Sequence, residues 1–236
     1  MARVVKVAEV RREELLELAL GLFMTVGYER TSVEQITRAA NVAKGTFYHY
    51  FSSKQDLLEQ LVESYADALF SHVELQLAAI EGDAVERLKA FSRLSTSFKL
   101  EHRDESAAFG RMLYADENLA LRHKLFSAWF ERTRPLLTAI LEQGIVEGTF
   151  AIADVRATAG VVLSIWYDWG DRLAERVYLP GFSPSAAKKV ADDLRAGQCA
   201  QERILGLAEG TLALDGDADI ESLLLGLVQP VANERA

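Results

Sequence analysis

Apolar residues recur every three or four positions along almost the whole chain, and no stretch alternates polar with apolar as a half-buried strand would. This periodicity allows one class of fold, a packing of helices. Leu15, Leu18, Ala19, Leu22 and Phe23 line one face of 9–26, and Gly27 follows as a stop. In TSVEQITRAA, Ser32 with Gln35, or Thr31 with Glu34, makes a capping box that opens a short helix from Val33 to Ala40. Asn41 tolerates a left-handed turn, and a third short helix is expected from Ala43 or Lys44 to Tyr50. Ser52 or Ser53 caps a fourth that starts at Lys54. Further helices are expected at about 54–81, 84–101, from Asp104 as cap to Tyr114, 117–147 with a kink or break at Pro135, from Asp154 as cap through Val177, 184–205 and 219–228.

Only 15 glycines and 4 prolines in 236 residues agree with this helical reading, and half the residues are hydrophobic, enough for a sizeable core. The single cysteine, Cys199, has no partner for an internal disulfide. MARVVKVAEVRREE turns charged too early for a signal peptide, and no apolar stretch reaches the roughly 18 residues of a membrane span. The expectation is a soluble cytoplasmic protein. The net charge of −9 is uneven: residues 1–60 carry 8 basic and 8 acidic side chains, so the remainder carries all of it. A neutral head on an acidic body fits a chain that meets an anionic partner through the head alone.

The head also gathers the segment VAKGTFYHYFSSK, residues 42–54, where basic and aromatic side chains crowd together. Two short helices joined by a tight turn form a helix-turn-helix, whose second helix enters the major groove of DNA. Phe47, Tyr50 or Phe51 have the spacing to pack inward. Gly45, Thr46, Tyr48 and His49 are left outward, where Thr, Tyr and His reach bases or phosphates and Gly allows close approach. Lys54 places a charge at the start of the fourth helix, where backbone N–H groups favour a phosphate. The competing reading of these residues is an aromatic corner that only closes a bundle.

Residues 11–58, with FMTVGYERTSVEQI, the Ala39-Ala40-x-Val42 turn, KGTFYHYF and SKQDLL in order, resemble the DNA-binding domain of the tetracycline-repressor (TetR/AcrR) family of bacterial transcription regulators. The resemblance covers about the first quarter of the chain. It implies an all-α protein, with a three-helix DNA-binding domain over 1–53 fused to a helical-bundle domain over 54–236 for ligand binding and dimerisation. It implies double-stranded operator DNA as partner, with contacts from Lys44, Thr46, Tyr48 and His49, a phosphate at Thr31 or Ser32, another at Lys54, and Phe47 and Phe51 as core. It also implies a homodimer through about 154–177 and 184–205, and a repressor released from a palindromic operator by a small apolar or amphipathic molecule. The ligand candidates are Phe91, Ser95, Phe98, Met112, Trp129 and Trp166, apolar-face residues with polar neighbours. The basic residues between Arg3 and Arg12 gain meaning as an arm towards the minor groove. The chain departs from the family where Asn41 replaces the usual Gly and Ala43 the usual Ser.

An enzyme is not expected. The sequence has no Glu-x-x-His pair, no HExxH, GxSxG, P-loop or GxGxxG, and implies no metal or cofactor. The remaining alternative is a helical scaffold or adaptor that does not bind DNA.

Overall fold

The computed structural model describes residues 2–178 and 183–213. All regular elements among these residues are helical: α1 Ala2–Thr25, α2 Val33–Ala39, α3 Lys44–Tyr50, α4 Lys54–Ala78, α5 Ala84–Glu101, α6 Arg103–Leu113, α7 Leu119–Val146, α8 Val155–Tyr178 and α9 Pro184–Leu205, and one 3-10 turn at Asp116–Asn118. The helix expected at 219–228 lies outside the described residues. Among those described, no helix is long and apolar enough to cross a membrane. The chain divides into two compact units, Met1–Ala68 and Leu69–Ala236. The expected boundary between residues 53 and 54 coincides with the start of α4, whereas compactness divides the chain further along, inside that helix.

In the first unit, α2 packs against α1 and α3. Ser32 accepts from the Gln35 N–H, and the Gln35 side chain accepts from the Ser32 N–H, so the capping box is the Ser32–Gln35 pair. Asn41 holds φ 51°, the left-handed conformation expected of it, and Gly27 holds φ 95°. Leu15, Ala19, Phe23, Ile36, Phe47, Phe51, Leu57 and Leu58 are all buried. They draw four short or half-used helices into one core that none could form alone.

A polar clip closes this unit at the start of α4. Asp56 accepts from the Ser52 N–H at 2.7 Å, the Ser52 hydroxyl at 2.9 Å and the Gln60 amide at 2.8 Å. The Gln60 carbonyl in turn accepts from Arg12 Nε on α1 at 3.0 Å. The Gln60 hydrogen bond first, then the Ser52 N–H, hold the Asp56 carboxyl below the usual aspartate range, and the Arg12 charge adds a smaller pull. A depressed carboxyl stabilises the folded state above the ordinary aspartate pKa, and the contribution disappears as pH falls through the lowered value. Asp56→Asn is therefore expected to melt below the parent at neutral pH, with the gap closing as pH falls below the ordinary aspartate value of about 4. Paired thermal melts from neutral to acid pH check it.

In the second unit, α7 packs against α5 and α8, and α8 against α9. Asp83 and Glu86 form a capping box on α5, Asp154 accepts from the Ala157 N–H at the start of α8, and Ser183 caps α9 ahead of Pro184. Two expectations are corrected. Of the kink or break expected at Pro135, the break does not occur, since α7 runs unbroken from Leu119 to Val146. The proline is exposed, so water can take the Glu131 carbonyl that its missing N–H leaves free. Asp104 does not cap α6. The joint between α5 and α6 is the single residue His102, whose carbonyl accepts from the Ser106 N–H, and Asp104 falls in the first turn, where its charge suits the helix dipole.

Candidate nucleic-acid interface

The side chains of α3 sort as a two-sided helix. Phe47 is 0% exposed and the following cap residue Phe51 is 1% exposed, with ring centroids 5.4 Å apart. Tyr48 is 51% exposed, with its ring edge-on to Phe47 at 5.4 Å. His49 is exposed and rests against the half-buried Tyr50. Thr46 is half-buried. Gly45 is exposed, and a Cβ placed on it would meet nothing within 4 Å. The outward row Gly45, Tyr48, His49 is thus supported from beneath by two buried rings, which fix its orientation without using it. Ala43 offers no side-chain cap to α3, so the seven-residue helix relies on this packing.

The cations are placed less uniformly than the sequence suggests. Lys44, the first residue of α3, is exposed and sits 3.3 Å from a Glu34 carboxylate oxygen. Lys54 does not project freely from α4. Its ammonium donates to the Tyr28 carbonyl at 2.9 Å and lies 4.1 Å from the centre of the Tyr28 ring, whose hydroxyl donates to Gln55. Lys54 thus ties the segment after α1 to the start of α4, and a substitution there loosens the unit as well as removing a charge. At the start of α2 the two expected phosphate contacts separate. Ser32 is exposed at the cap. Thr31 is 2% exposed, and its hydroxyl donates to the Gly27 carbonyl at 2.8 Å. This corrects the expectation for Thr31, because a buried hydroxyl already donating cannot reach a phosphate. Sequence reasoning also passed over Arg38, exposed on the last turn of α2 and four residues beyond Glu34 on the same face. Side chains before Ala8 lie outside the described surface, and with them the outer part of the expected basic arm.

The six ligand candidates fall in the second unit. Phe91, Phe98 and Met112 are buried. Phe91 on α5 meets Trp166 on α8 with ring centroids 5.2 Å apart, and Phe98 lies between His72 and His102. Trp129 is half-buried beside Phe126, and its indole N–H is buried without a hydrogen-bond partner. The Ser95 side chain lies outside the described residues. Tyr167 is a residue that sequence reasoning missed. Its hydroxyl shares a hydrogen bond with Thr133 at 2.8 Å, and burial pushes its pKa up to about 12 against the lowering effect of that bond. An open groove runs between α7 and α8, bounded by Phe130, Arg134, Gly160, Val161 and Asp168, and none of the six candidates lines it.

Residues 15–61 match the family model for bacterial regulatory proteins of the tetR family. The chain is 30% identical over 155 residues to the HTH-type transcriptional repressor KstR2 of Mycobacterium tuberculosis, covering 64% of this chain and 74% of that protein. It is 30% identical over 169 residues to KstR2 of Rhodococcus jostii, covering 66% and 79% respectively. In fold it is similar to the transcriptional regulator FadR of Bacillus subtilis in complex with stearoyl-CoA, with a TM-score of 0.55 over 92% of this chain and 97% of that one at 21% identity. The matched segment 15–61 contains the capped α2, the left-handed Asn41 and the two-sided α3, and the match to KstR2 extends well past it. The chain therefore belongs to the tetR family of bacterial regulatory proteins and is a DNA-binding transcriptional regulator.

Proposed function

We propose that the chain acts as a homodimeric repressor, in which α3 of each copy reads one half of a palindromic operator and a small apolar or amphipathic effector taken up by the second unit releases it. The observation that carries this reading is the outward row Gly45, Tyr48, His49 over a buried Phe47 and Phe51. Tyr48 and His49 offer hydrogen bonds to phosphates and base edges, with Thr46 beside them, and Ser32 and Lys44 add contacts to the backbone. Arg38 joins this set through its exposed place on α2.

Two copies are required by a palindrome, with half-sites about 34–36 Å apart or a multiple of that spacing. Helices α8 and α9 are the surface proposed for pairing. Ala159, Val162 and Leu163 serve the chain's own core. The opposite side of α8 carries Ala157, Gly160, the 50% exposed Val161 and Ser164, small enough for a second helix to approach closely. The effector site is proposed among Phe91, Phe98, Met112, Trp129 and Trp166, with Ser95 as their neighbour in sequence. The unpartnered Trp129 N–H would be satisfied by an acceptor atom on the effector. The complex of FadR with stearoyl-CoA is an instance of an amphipathic ligand on this fold. The proposed role on operator DNA is a cytoplasmic one and asks no catalysis of the chain.

Operator affinity is expected to fall about a hundredfold or more between about 50 and 200 mM salt, because several phosphates exchange counterions for protein cations. DNA fragments that the protein retains from its own genome supply the probe for this titration. A flat response, or no fragment retained, would leave the scaffold reading in its place.

A further inference from the structure

Charge on the DNA-facing side of the first unit is not all of one sign. Glu34 stands on the first turn of α2 with its side chain 72% exposed, 3.3 Å from the ammonium of Lys44, itself 54% exposed. The carboxylate has no capping task. Ser32 and Gln35 already satisfy each other's backbone N–H groups at this helix start. The Thr37 hydroxyl donates to the Glu34 main-chain carbonyl, not to its side chain. A solvated ion pair of this kind contributes little to folding. Yet it occupies the first residue of the helix that meets the duplex.

We propose that Glu34 is a built-in competitor for the operator: its carboxylate holds the Lys44 ammonium that a phosphate must take over, and its own charge opposes the duplex. The inference rests on the DNA-binding reading of α3 and adds a residue to it. When DNA arrives, Lys44 exchanges one anion for another, so it adds less to affinity than an unpaired lysine would. The cost is the same on any sequence, since every duplex presents phosphates, whereas base contacts from α3 repay it only at the right site. Glu34 therefore lowers binding to arbitrary DNA more than it harms discrimination, as a like-charge contact does at other charged interfaces. Arg38, on the same face of α2, offsets part of the repulsion but leaves the exchange at Lys44 in place.

Glu34→Gln removes the charge and keeps the shape. Binding to the operator and to a scrambled duplex should both tighten, by about threefold at about 50 mM salt, and the slope of log affinity against log salt should steepen by about one. Lys44→Ala should then weaken binding more in the Glu34→Gln background than in the parent. Thermal melts and circular dichroism confirm that each variant is folded. Unchanged affinity and slope would overturn the proposal. So would weaker operator binding by Glu34→Gln, which would make Glu34 a direct reader, accepting from a cytosine amine. If the parent itself binds no DNA, the reading of α3 falls and this inference with it. If the parent binds with a steep salt dependence and Glu34→Gln is no tighter, only the inference fails.

Discussion

Replacing Phe47 by alanine is expected to unfold the first unit, at a cost of about 3–5 kcal/mol. The ring is fully buried and touches Phe51 and Tyr48. α3 has seven residues and no side-chain cap at its start, so it has no stability of its own to fall back on. A whole domain commonly has only about 5–15 kcal/mol to lose. Amide hydrogen exchange checks the outcome by location. Protection should collapse across α2, α3 and the start of α4, DNA binding should vanish, and the amides of α7 and α8 should keep their protection.

The neighbouring change has the opposite character. Tyr48→Ala is expected to keep the fold and its helicity, with a melting temperature only a few degrees lower, while operator affinity falls about tenfold to a hundredfold. Half of that side chain faces solvent, and its contribution to folding is one edge-on contact with Phe47, worth about 1 kcal/mol. Tyr48→Phe divides the effect further, because it keeps the ring and loses only the hydroxyl. If the phenylalanine variant binds like the parent, contact is made through the ring; if it binds like the alanine variant, it is made through the oxygen. Unfolding by Tyr48→Ala would instead mean that residue 48 is structural and that the outward row has been misassigned. Adjacent residues on one short helix thus give contrasting results, one lost in folding and the other in binding.

Local chemistry was the legible part of this chain. Asn41 was readable because few residues accept a left-handed backbone, and the structure holds it at φ 51°. Ser183 followed by Pro184, and Asp154 ahead of α8, were readable because caps act within three residues. Ser32 and Thr31 could not be separated in this way. Both have a partner at the right spacing, and burial of Thr31, whose hydroxyl donates to the Gly27 carbonyl, decides between them. The second task of Lys54, its tie to Tyr28, was hidden for a similar reason: Tyr28 lies on a different segment, and only the packed unit brings the two together. The Glu34–Lys44 pair depends on the angle between two helices across a turn, which periodicity does not carry. In the second unit, periodicity gave the apolar faces of α5 and α8. It could not say that Phe91 and Trp166 face each other, because the register between helices far apart in sequence is set by packing.

Glycine within a helix is about 1 kcal/mol worse than alanine, and α3 carries Gly45 at its second position. Nothing among the described residues requires it, since a methyl group there would stand in open space. Under the docking of α3 proposed above, an alanine at this position makes a firmer helix and a poorer guest for the groove. On that reading the emptiness beside residue 45 is a clearance kept for the duplex, and the restriction on that side chain comes from outside the polypeptide.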